Sequence, residues 1–96
     1  MIYFLYHSYM KFEYDPAKSA ANKRKHGLDF EEAKALWDDD NLLVFPLRLE
    51  DEPRQACIGW LAGKHWTAII TCRGAVVRII SVRRARKDEV AAYESE

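Results

Sequence analysis

The chain has 96 residues, 49% of them hydrophobic, with three Trp and only four Gly; this excludes a disordered or collagen-like chain and matches the length of one modest domain. Fifteen Lys and Arg balance fifteen Asp and Glu, which excludes a global attraction to polyanions. Two cysteines, Cys57 and Cys72, exclude a disulfide framework, and no Cys/His pair has zinc-site spacing.

Met1 to Tyr9 is apolar and aromatic but lacks the basic start and cleavage site of a signal peptide, and it is too short to span a membrane. It reads as an extension ahead of a functional start at Met10, or as an added edge strand or arm, leaving residues 10–96 as a single domain. Lys11 to Tyr14 alternates polar and aromatic residues as a short strand does. Asp15-Pro16 then opens a helix that runs to His26, where Gly27 stops it after Lys23, Arg24 and Lys25 have placed positive charge at its negative end.

A second helix starts on Asp29, with Glu32 closing a capping box. Its Phe30, Ala33, Leu36 and Trp37 share one apolar face. Asp38-Asp39-Asp40-Asn41 follows as a solvated turn, because it lacks the glycine and terminal Glu of a calcium loop. Leu42 to Leu49, interrupted by Pro46, reads as an edge strand, and Glu50 to Pro53 as a polar turn. Three strands follow, Arg54 to Leu61, His65 to Cys72 and Ala75 to Arg84, joined at Gly63 and Gly74. A last helix runs from about Arg86 to Tyr93. The expected architecture is α+β: a mainly antiparallel sheet of about five strands, with two helices in the N-terminal half and one at the C-terminus.

Charge is unevenly placed along this order. From Arg73 to Lys87 there are six cations and no carboxylate, whereas from Asp29 to Glu52 nine carboxylates face only Lys34 and Arg48. A local basic field binds phosphate even when the molecule is neutral. Arginine suits that task best, since its planar donors stay charged and take two oxygens at once. If the turns centre on Gly63 and Gly74, Arg54 lies across from Thr71 and Thr71 across from Arg78. Alternation puts Arg84 on that face, with Arg83 and Ser81 on the other unless a bulge turns the strand. Cys57 falls level with Ala68, away from Cys72; both read as buried free thiols, as suits a reducing cytoplasm.

These residues fit one chemistry. RNA is cut without a metal when its ribose 2′-hydroxyl attacks the adjacent phosphorus, which needs a proton acceptor, a proton donor and cations on the phosphoryl oxygens. Arg54, Arg78, Arg83 and Arg84 serve as the cations, and His26 and His65 are the histidines best placed to move protons. No Gly-rich phosphate loop, nucleophile elbow or His-Glu metal helix is present, and no cofactor or metal is called for.

Phe12-Glu13-Tyr14-Asp15-Pro16-Ala17-Lys18, Asn22, Lys25-His26-Gly27 and Phe30-Glu31-Glu32-Ala33 in the first half resemble the BrnT-type toxins of bacterial type II toxin-antitoxin systems. So do Arg54, Ile58-Gly59, Thr71, Arg78 to Ala85, Glu89 and Tyr93 in the second, all in the same order over about 85 residues. Met1 to Tyr9 departs from that pattern by preceding the usual start. The resemblance implies a RelE-like fold and a cytoplasmic endoribonuclease that cleaves cellular RNA and arrests translation. It implies a cognate ribbon-helix-helix antitoxin that forms a hetero-oligomer with the toxin, operator DNA being bound only through that complex. Carried over residue by residue, it makes Arg78, Arg83, Arg84 and His26 the catalytic candidates, and Arg54, Lys25, Arg73 and Thr71 the RNA contacts. A toxin-like module that binds antitoxin or nucleic acid without cleaving is the alternative.

Overall fold

The computed structural model describes residues 10–48 and 52–95. Strand β1 covers Lys11–Glu13, helix α1 Pro16–His26 and helix α2 Phe30–Ala33, which tightens into a 3₁₀ segment over Lys34–Asp38. Strands β2 (Leu43–Leu47), β3 (Arg54–Leu61), β4 (Lys64–Arg73) and β5 (Val76–Arg84) follow, and helix α3 (Lys87–Glu94) closes the chain. The expected extension at Met1–Tyr9, Leu49 of the edge strand and Glu50-Asp51 of the polar turn lie outside the described residues.

Local chemistry sets the helix ends. The Asp15 carboxylate accepts from the Ala17 amide at 2.9 Å, Pro16 occupies the first turn, and Gly27 at φ +87° donates its amide back to the Lys23 carbonyl. A side chain pays for that φ in strain, so glycine is the natural stop. At the second helix the Asp29 carboxylate accepts from the Glu32 amide at 2.7 Å while Glu32 accepts from the Asp29 amide at 2.9 Å. Such a cap contributes about 1 kcal/mol.

The five strands form one sheet in the order β1-β5-β4-β3-β2. β2 through β5 pair antiparallel, whereas β1 runs parallel to β5, with Phe12 opposite Val77 and Glu13 opposite Arg78. The sheet is therefore mixed: α1 and the 3₁₀ segment intervene, but the chain joins β1 to a distant strand that only its last hairpins create. β2 is an edge, as its Pro46 requires.

One face of the sheet carries the main core. Cys57, Trp66, Ala68, Ile70, Val77, Ile79 and Val82 pack there with Phe30, Ala33, Leu36 and Trp37, so the helical face expected from spacing is the buried one. Gly59 is needed on this face, because a Cβ there would lie 2.8 Å from Leu42 Cδ1 and 2.9 Å from Leu36 Cδ2. Asn22 ties α1 to β5: its amide donates to the carbonyls of Leu28 at 2.7 Å and Val82 at 2.8 Å and accepts from the Val82 amide at 3.2 Å. These bonds satisfy the Val82 backbone beyond Arg78, where the pairing with β1 ends.

The cysteines are both free, but only Cys57 is buried, its thiol pushed up to about 12 by burial. Cys72 is exposed, which corrects the expectation of two buried thiols: it sits on the penultimate residue of β4, where core cover has ended.

Candidate functional site

The register settles which arginines share a face. Gln55 pairs with Ile70, so Arg54, one residue outward, comes level with Thr71, and Thr71 pairs with Arg78. That much is the expected row. Between Ile69 and Ile70 the β4–β5 ladder then slips by one: Ile69 pairs with Ser81 but Ile70 with Ile79, leaving Ile80 as the extra residue. An extra residue reverses alternation for everything beyond it. Arg83 pairs with Thr67 and lies on the face of Thr71 and Arg78, whereas Arg84 pairs with Trp66 on the core face. The expected facing of Ser81, Arg83 and Arg84 is thus reversed, by one bulge. Arg84 caps the far side, its guanidinium 5.8 Å from the Trp66 ring centroid.

The arginine-bearing face is half covered. At the Arg83 end α3 lies across it, and Glu89 reaches down to accept from Arg83 Nη1 at 2.8 Å and Nη2 at 2.9 Å, from Thr67 Oγ1 at 3.0 Å and from the Arg86 amide at 2.7 Å. The Arg83 hydrogen bonds lead in holding the Glu89 carboxyl at about 2, against an ordinary 4.5, and burial opposes them. Glu89 in turn raises the guanidinium of Arg83 above its ordinary value. His65, outward from Thr67, is bonded to Glu94 Oε2 at 2.8 Å and stacks edge-on with Trp60 and Tyr93. It docks α3.

At the other end Arg54 and Arg78 are half-buried and Thr71 between them is buried. Arg78 Nη1 lies 3.3 Å from Glu13 Oε2, both side chains being substantially exposed, so the guanidinium retains free donors. Arg54 lies across Thr71 from it, on β3. Arg73 is exposed and paired with Glu52 through Nε at 3.1 Å and Nη2 at 2.9 Å. Thr71 is 1% exposed and donates to the Pro53 carbonyl at 2.7 Å; it fixes the chain entering β3 and presents no hydroxyl to a ligand. Lys25 and His26 stand elsewhere, in a groove between α1 and the bulge at Ile80-Ser81.

Sequence reasoning missed three carboxylate partners. Glu13 faces Arg78 only because β1 is parallel to β5, and Glu89 reaches Arg83 only because the bulge turns it. Asp39, read as part of a solvated turn, accepts from the Trp60 amide at 2.8 Å and the Tyr93 hydroxyl at 2.6 Å. Burial first, then that bond, push the Tyr93 hydroxyl up to about 12. Among the described residues no three His, Cys, Asp or Glu side chains converge as a metal site, and no helix is long and apolar enough to cross a membrane.

The described residues form an α+β domain whose sheet carries Arg78 and Arg83 on one face. The model of the ribonuclease toxin BrnT, of type II toxin-antitoxin systems, matches residues 14–89, and the chain belongs to that family. A search of curated proteins finds none that matches.

Proposed function

We propose that the chain is a metal-independent endoribonuclease that cleaves cellular RNA and arrests translation until a cognate ribbon-helix-helix antitoxin neutralises it. In this reading residues 10–96 are a single RelE-like toxin domain, Met1–Tyr9 an extension ahead of it, and the complex with antitoxin the form that meets operator DNA. The observation that carries it is the bulge at Ile80, which gathers Arg78 and Arg83 on the face that Arg54 joins through Thr71.

Arg54 and Arg78 neutralise the phosphoryl oxygens as the ribose 2′-oxygen attacks phosphorus and the 5′-oxygen departs, leaving a 2′,3′-cyclic phosphate and a 5′-hydroxyl. The 2′-proton passes to a base and a proton reaches the departing oxygen; His26, in the groove beside α1, is the candidate for one of these two transfers. Arg83, held by Glu89, is an anchored cation at the covered end of the row; Arg84, on the far face against Trp66, lies outside that row, and Lys25 and Arg73 position the RNA.

The test is cleavage of purified RNA with EDTA present. Wild type is expected to cut and R54A/R78A to lose at least about a hundredfold, the scale of removing charge stabilisation from a transition state. The fold should persist, since an exposed ion pair such as Arg78–Glu13 contributes under about 1 kcal/mol. Folded wild-type protein that leaves RNA intact refutes the proposal. One observation favours a second reading, a toxin-like module that binds without cutting: the Arg83 guanidinium is already occupied by Glu89. Salt-sensitive RNA binding without cleavage would establish it.

A further inference from the structure

The function above draws on Lys25 and His26 of α1 but gives Lys18, on the same side of that helix, no role. Its sequence from Pro16 to His26 contains Lys18, Lys23, Arg24, Lys25 and His26 and no carboxylate. Lys23 is engaged by Glu32 at 2.9 Å. Lys18 and Lys25 are exposed and stand seven residues apart, hence on one side of the helix. Together with His26 they line a groove of ≈ 280 Å³ whose opposite wall is Ile80 and Ser81, and among the described residues no carboxylate lines it.

That opposite wall is made by the bulge. β1 pairs with β5 only as far as Arg78, so beyond this point the edge of β5 faces α1, where Asn22 takes up Val82. Ser81 belongs to two surfaces at once. It lines the groove, and through its pairing with Ile69 it lies between the Thr71–Arg78 and Thr67–Arg83 pairs on the arginine face. A polyanion leaving Arg78 therefore passes over a hydroxyl into a groove rimmed by two ammonium groups.

We propose that this groove is a phosphate subsite for single-stranded RNA, apart from the Arg54 and Arg78 cations, in which Lys18 and Lys25 hold the backbone flanking the linkage to be cut. The subsite rests on the ribonuclease reading for its ligand. Its position also places the bulge in a second role: the extra residue that turns Arg83 also opens the floor of the groove. The ammonium groups act as mobile point charges, which suits a flanking contact that must accept any sequence.

Binding of a fully 2′-O-methylated oligoribonucleotide tests it, because blocking the attacking hydroxyl leaves affinity measurable whether or not the protein cuts RNA. Each of K18A and K25A is expected to lower the slope of log affinity against log salt by about 0.7, and the double variant by about 1.4 with about a tenfold weaker complex at 0.1 M salt. K64A, which removes the same charge from the first residue of β4, should leave the slope unchanged. Unchanged slopes in K18A/K25A, or an equal fall in K64A, overturn the subsite. Failure of wild type to cleave ordinary RNA would refute the ribonuclease reading alone, since these slopes would stand.

Discussion

Replacing Glu89 by Gln removes one negative charge from the bonds that fasten α3 to the sheet. The carboxylate takes two bonds from Arg83, one from Thr67 and one from the Arg86 amide, and its side chain is 12% exposed. A carboxyl held at about 2 against an ordinary 4.5 corresponds to about 3 kcal/mol at most. Residual solvent contact at Arg83, 24% exposed, reduces this to about 2 kcal/mol. For a domain of this size that is a fall of about 8–16 °C in Tm at pH 7. Folding holds the proton off Glu89, so the stabilisation is complete above about pH 4.5 and disappears as pH falls toward 2. Urea unfolding of E89Q and wild type across pH 2.5 to 7 is the assay. The two should differ by about 2 kcal/mol at neutrality and converge in acid. A difference below about 0.5 kcal/mol at pH 7, or one that persists unchanged at pH 2.5, refutes the argument that this ion pair fastens the helix.

Two further changes probe the frame on which the site is built, with opposite signs. G59A should cost about 1–3 kcal/mol by driving a Cβ into Leu36 and Leu42, read as a lower urea midpoint at constant m. A62N should raise that midpoint by about 0.5–1 kcal/mol of stability, because Ala62 holds φ +54° beside Gly63 in a two-residue turn that favours Asn-Gly. A loss of stability in A62N would show that Ala62 is kept for its size.

What the sequence disclosed is what short-range chemistry decides. Asp15-Pro16, Gly27 and the Asp29–Glu32 box act within one turn of chain, and the structure has each in place. The register of the last three strands was also legible, since two glycine-centred turns fix it: Cys57 meets Ala68 and Thr71 meets Arg78. The orientation of Arg83 and Arg84 was not, because the slip at Ile80 has no residue signature of its own. Ile79-Ile80 is as good a strand as any. The parallel pairing of β1 was hidden for a related reason: three residues cannot announce which distant strand they will join. Glu89, Asp39 and Glu13 lie 6 to 65 residues from the side chains they bind, and their roles exist only after the sheet has formed.

Asn22 has a consequence for how the molecule meets copies of itself. A sheet margin with free amides and carbonyls invites another chain to dock as an extra strand. At Val82 the carboxamide of Asn22 occupies both groups from within, imitating one rung of a neighbouring strand and ending the ladder. The helix that brings Asn22 there also brings Lys18 and Lys25, so the margin that is closed to a protein strand is lined with positive charge.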